Sequence, residues 1–180
     1  MPIASTDILF KLSNSAASSG HSTNGTPSGS LGKYIASGQI SSGVTLNNLF
    51  DDVSGDENAA SDIEYRCFFI HNAHASLTYL SPVIWISGQV AGGASGFLAI
   101  DNYNASAIAA TGQQAQSIAD EGTAPTGLSF SAPTGKSVGL SLGDIGAGSG
   151  KAVWVRRNAY NTVAVNNDGI TILVEGDSGA

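Results

Sequence analysis

The sequence predicts an all-β fold: an antiparallel β-sandwich of jelly-roll or immunoglobulin-like kind, with long Gly/Ser-rich loops and an extended N-terminal arm. Three observations carry this. About eight short segments alternate apolar and polar residues with the period of two that places successive side chains on opposite sheet faces. They are separated by Gly, Ser, Asn and Pro, and the 23 glycines in 180 residues far exceed the usual share of about 7%. No strand pattern alternates with a helical one, so crossover βαβ units and a parallel sheet are not expected. At this length a single domain spanning 1–180 is expected, and no internal repeat is evident.

The first strand is expected over 7–13, where Ile8, Phe10 and Leu12 share one face and Leu9 and Lys11 the other. The stretch 14–32 is almost entirely Ser, Gly, Asn, Thr and Ala with one Pro, and it reads as a flexible loop or arm that orders only where a neighbour supplies contacts. A weak strand follows near 33–41. Thr45 is expected to cap a short helix in which Leu46, Leu49, Phe50 and Val53 keep i, i+3, i+4, i+7 spacing. Residues 63–72 give the strongest strand, with Ile63, Tyr65, Cys67, Phe69 and His71 facing one way and Glu64, Arg66, Phe68 and Ile70 the other. Residues 77–86 form a second long strand that either pairs with it or passes to the other sheet. Pro82 has no N–H for a ladder, so it belongs at an edge, a bulge or a break. Residues 97–100 follow a Gly-rich turn, and 101–125 read as a loop. Further strands are expected at 128–130, 138–142, 152–156 and 170–175, the last reached through a tight turn at Asp168-Gly169.

Seven basic and fourteen acidic side chains give 7 − 14 = −7, which argues against a nucleic-acid partner because phosphate binding needs clustered Lys and Arg. No run approaches the roughly 18 apolar residues of a membrane-spanning helix, and residues 1–7 lack a signal-peptide pattern, so a soluble protein made in a cytosol is expected. Cys67 is the one cysteine, expected to be a buried, inert thiol.

The motifs that invite a chemical reading each fall short. Thr134-Gly-Lys-Ser137 and Gly148-Ser-Gly-Lys151 end like phosphate loops, but Phe130 and Ile145 stand where the first glycine is needed, and β-patterned runs follow in place of a helix. The Asp51, Asp52, Asp56, Glu57 cluster lacks calcium-loop spacing and reads as a solvated acidic turn. His71 and His74, with His21 as a distant third, read as turn and surface histidines; Cys67 shares the His71 face but lies about 13 Å away. No G-x-S-x-G elbow occurs. Neither catalytic residues, a cofactor nor a bound metal is expected. Arg156 and Arg157, after Trp154, project to opposite faces of a strand, so each is expected to pair with an acidic neighbour instead of forming one fork.

Four residue blocks have a further implication: 55–59 (GDENA), 64–72 (EYRCFFIHN) with 75–78, 143–145 (GDI) with 151–157 (KAVWVRR), and 166–170 (NNDGI) through 174–177 (VEGD). Together they resemble small virion structural proteins of tailed double-stranded-DNA bacteriophages. The resemblance implies a non-enzymatic particle component, foremost a capsid decoration (cement) protein on the virion surface, commonly a homotrimer, with the major capsid protein as partner. The alternative is a tail, baseplate or head-fibre subunit that contacts the host. The contacts expected for decoration are Asn14, His21, Asn24, Leu31 and Tyr34 around the Ser/Gly-rich segment, with Trp154, Arg156 and Arg157. Apolar residues on both faces of several strands, such as Phe68 and Ile70 opposite Phe69, are expected to leave surface for another subunit.

Overall fold

A computed structural model describes residues 1–40 and 46–179. The chain forms two antiparallel sheets packed face to face, a β-sandwich. The strands are β1 (Ile8–Asn14), β2 (Tyr34–Gln39), β3 (Ile63–Asn72), β4 (Tyr79–Gln89), β5 (Ser95–Ile100), β6 (Ser106–Ala107), β7 (Leu140–Ser141), β8 (Ser149–Asn158) and β9 (Ile170–Ser178). The larger sheet runs β2-β1-β3-β8-β5, with β6 also paired to β8; the smaller runs β7-β4-β9. The two longest expected strands therefore do not pair: β3 lies in one sheet and β4 in the other.

Alternation builds the core between the sheets. From the larger sheet Leu12, Phe68, Ile70, Leu98, Val153 and Val155 point inward, and they meet Tyr79, Ile84 and Ile86 of the smaller. Pro82 sits where the β4–β9 register slips between Leu80 and Val83, the bulge its missing N–H requires.

The opposite face of the larger sheet is apolar too, with Ile35, Tyr65, Phe69, Ala99 and Trp154, and the chain covers it with its own loops. Ala115 and Ile118 are buried against it, and Leu31, Ile108, Leu128 and Phe130 pack beside them. Phe68, Phe69 and Ile70 are fully buried. The premise that this face needs another subunit is thus corrected: loops 14–33 and 101–131 form a third layer. The 14–32 stretch is a loop within that layer and does not project as an arm. The amides of Gly20 and His21 bind the carbonyls of Ala110 and Ile35, and those of Ser37 and Gly38 bind the carbonyls of Thr23 and Asn24. Gly32 shows why a glycine is needed there: φ is +88°, and a Cβ would collide with the Gln116 carbonyl.

Four local expectations are changed. Thr45 lies outside the described residues, and 46–53 are not helical; the one α-helix of the described residues is α1 (Gly55–Ala60). Ser54 caps it, accepting from the Glu57 amide while the Glu57 carboxylate accepts from the Ser54 amide, a reciprocal pair that outweighs the apolar spacing. Residues 128–130 make no strand; only Ser131 bridges, to Leu98. Near 138–142 a 3-10 turn over Lys136–Val138 leaves a strand of two residues. The turn before β9 falls at Asn166 and Asn167, the latter left-handed at φ 58°, because the Asp168 carboxylate is occupied in accepting from the Ala94 amide at 2.7 Å.

Candidate functional site

The expected contact residues divide into three groups. His21 and Asn24 lie in the segment bonded along β2, and Asn14 reaches that segment from the end of β1. Asn14 closes β1, its Oδ1 accepting from the Ala16 amide at 2.9 Å and its Nδ2 donating to the Thr23 hydroxyl at 2.7 Å. Asn24 is exposed and accepts from the Ser37 hydroxyl at 2.8 Å. His21 is exposed at φ 59°, with Nε2 3.5 Å from the Lys11 ammonium.

Leu31 belongs to the covered face, and Tyr34 is tied to the loop layer through its hydroxyl. Leu31 is half-buried among the loop-layer residues, and the buried Tyr34 donates its hydroxyl to the Thr111 carbonyl at 3.0 Å.

The third group lies on β8 and is mostly internal. Trp154 is fully buried, donating Nε1–H to Asp101 Oδ2 at 2.7 Å, so it is not a contact residue: the loop layer closes over it. Arg157 is also internal, 8% exposed. Its Nε donates to Glu64 Oε2 at 2.6 Å and its Nη2 lies 3.1 Å from Asp51 Oδ1. Arg156 projects the other way, as expected, but its partner is aromatic: its guanidinium lies 4.1 Å from the Phe97 ring centre and 5.7 Å from that of Phe130.

Asp101 is the polar hub that sequence reasoning passed over. Its Oδ1 accepts from the Tyr103 amide at 2.8 Å; its Oδ2 accepts from the Gln116 amide at 2.9 Å and from Trp154. Lys151, the last residue of the second phosphate-loop-like run, donates to the Asp101 carbonyl at 2.8 Å and to that of Tyr103. Gln114 is 2% exposed and links the Ile35 amide to Ser106 and Ala107. The one available signal was positional, an acid directly after the apolar run Phe97–Ile100. Replacing Asp101 with Ala strands three donors, and the expected cost is about 2–4 kcal/mol in chemical denaturation, with faster amide exchange at Tyr103 and Gln116.

The charged cluster at the Arg157 end uses the acidic turn. Arg66, 3% exposed, pairs with Glu121, and both Arg66 and Arg157 lie over the Phe50 ring, at 5.6 and 4.8 Å. Burial pushes the Glu64 carboxyl above its ordinary range, and Arg157 opposes that shift. Cys67 is free and fully buried, and burial pushes its thiol well up.

His71 and His74 are not brought together for a shared ligand. His74 Nδ1 accepts from the amides of Ser76 and Leu77, at 3.2 and 2.9 Å, shaping the β3–β4 turn. His71 points under the loop layer, 5% exposed.

Among the described residues, nothing covers the outer face of the smaller sheet in this way. Trp85 and Leu173 are cross-strand partners there; Trp85 is half-buried, Leu173 is 44% exposed, and Val138 in the neighbouring 3-10 turn is 62% exposed. Comparison with protein families, curated proteins and solved structures finds no match for this chain.

Proposed function

We propose that this chain is a non-enzymatic structural protein of a tailed-bacteriophage virion, a decoration protein that sits as a homotrimer on the outer surface of the major capsid lattice and stabilises the head. The residue blocks that resemble virion proteins supply the class. The observation that carries the contact is the apolar group Trp85, Leu173 and Val138 at the outer side of the smaller sheet, left uncovered by the described residues. The larger sheet is sealed on both faces, so this is where packing against capsid or a sister subunit removes apolar surface from water. The tethered loops support the same reading, because an ordered surface loses less conformational entropy on docking. Many copies that bind only the mature shell stabilise it by mass action.

The test is the heat resistance of particles assembled without this protein. Heads are expected to release their DNA at lower temperature and to recover when purified protein is added. Leu173→Lys, at an exposed site, is expected to fold normally and to lower particle occupancy about tenfold or more. Heads of unchanged resistance combined with lost adsorption to cells would overturn decoration in favour of a tail or fibre role.

A further inference from the structure

Six of the seven Lys and Arg side chains are paired with a carboxylate, lie over a ring or are held by two carbonyls. Arg66, Arg157 and Lys136 pair with carboxylates, Lys151 is held by two carbonyls, and Arg156 and Lys33 lie over rings. Lys11 is different. It stands on β1 under the loop layer, 5% exposed, with its ammonium donating to the Ser37 carbonyl at 2.6 Å and lying 3.5 Å from His21 Nε2.

His71 lies on the same face of the adjacent strand, opposite Leu9 and two pairs along from the Lys11–Phe69 pair. It is equally buried, and neither of its ring nitrogens has a hydrogen-bond partner. The groups facing it carry no negative charge. β1 presents Leu9 and Lys11, β8 presents Gly150 and Ala152, β2 presents Ile35 and Ser37, and the 14–33 loop presents His21. Lys151 projects to the opposite face, and the Asp7 carboxylate accepts from the Ala4 amide. Among the described residues no ion pair involves Lys11, His21 or His71. A desolvated ammonium without a counter-charge therefore adjoins an imidazole whose N–H and lone pair are both unmet, and one oxyanion answers both deficits.

We propose that the Lys11, His21 and His71 corner binds a small oxyanion, phosphate-like or carboxylate, that enters on the exposed His21 side. The Lys11 ammonium supplies the charge and the two rings supply N–H donors. Binding takes up protons from solvent onto the imidazoles, so affinity rises as pH falls. The corner lies apart from the apolar outer face, and this inference stands or falls independently of any particle role.

The experiment follows the ring C–H resonances of the three histidines at pH 6 as sodium sulfate is added at ionic strength held with sodium chloride. Saturating shifts are expected at His21 and His71, with His74 stationary, and the His71 titration midpoint is expected to rise by about one unit or more at saturation. Lys11→Met is expected to weaken binding at least about tenfold. His21→Asn is expected to weaken it about threefold or more. It leaves the core untouched, and Asn tolerates the left-handed backbone there, so it carries the test if Lys11→Met fails to fold. Sodium acetate in a parallel titration separates the sources: tighter sulfate binding indicates a free dianion, and equal or tighter acetate binding a carboxylate from a protein partner, and either result supports the site. Non-saturating shifts shared by all three histidines would overturn it, as would unchanged affinity in His21→Asn.

Discussion

Replacing Arg157 with Ala is expected to destabilise the protein by about 3–5 kcal/mol in urea or guanidinium unfolding, the largest effect of any single charge removal here. Glu64 is 1% exposed, and Arg157 is its ion-pair partner; without the guanidinium a carboxylate remains in a medium that solvates it poorly. The penalty also has a pH signature. Burial already raises the Glu64 carboxyl, and loss of Arg157 raises it further. A folded-state pKa above the unfolded value means that the native state binds the extra proton between the two. The destabilisation relative to the parent protein should therefore be smaller near pH 5 than near pH 8. The double change Glu64→Leu with Arg157→Leu should recover much of the loss, because two apolar side chains carry no unmet charge. A difference from the parent protein that is as large at pH 5 as at pH 8 would show that the cost arises elsewhere, for instance from the lost anchor on Asp51.

The second large effect is acid destabilisation through His71. Burial, reinforced by Lys11 and His21, lowers its pKa from 6.5 to about 4. The unfolded chain therefore binds a proton between those values that the native state refuses. Stability from this group is complete above about pH 6.5, declines as pH falls toward 4 and is constant below. Over that window the expected loss is about 3 kcal/mol in sulfate- and phosphate-free buffer. His71→Phe, which keeps a flat ring between Leu9 and Phe69, should lack that limb. Matching stability curves for the two proteins from pH 7 to pH 4 would refute the assignment.

The strands were legible because half-buried strands write their two faces directly into alternation: residues 63–72, 152–156 and 170–175 needed only that pattern. The loop layer was not legible, since its covering residues, Ala115, Ile118, Leu128 and Phe130, are spaced without a period and act one at a time. Trp154 and Arg157 were placed on the surface for the same reason; a strand reveals that two faces differ but not that loops lie over one of them. The helix was misplaced although its signal was present. The Ser54 to Glu57 spacing was a stronger start signal than the apolar run after Thr45, whose period of 3.6 arises by chance in a short segment. Of the candidate site, the opposed directions of Arg156 and Arg157 were readable from strand geometry, whereas Asp101, Lys11 and Glu64 acquire their roles only through long-range packing.

The unequal shelter of the two sheets has a kinetic consequence. β3 has a paired strand on each side and a packed layer above and below, whereas among the described residues β9 pairs only with β4. Local opening should therefore begin at β9 and spread into the smaller sheet while the β1-β3-β8 ladder still holds its deuterium-resistant amides. The face we assign to docking would then be the part of the molecule most ready to reshape itself against a neighbour, mounted on a part that hardly breathes.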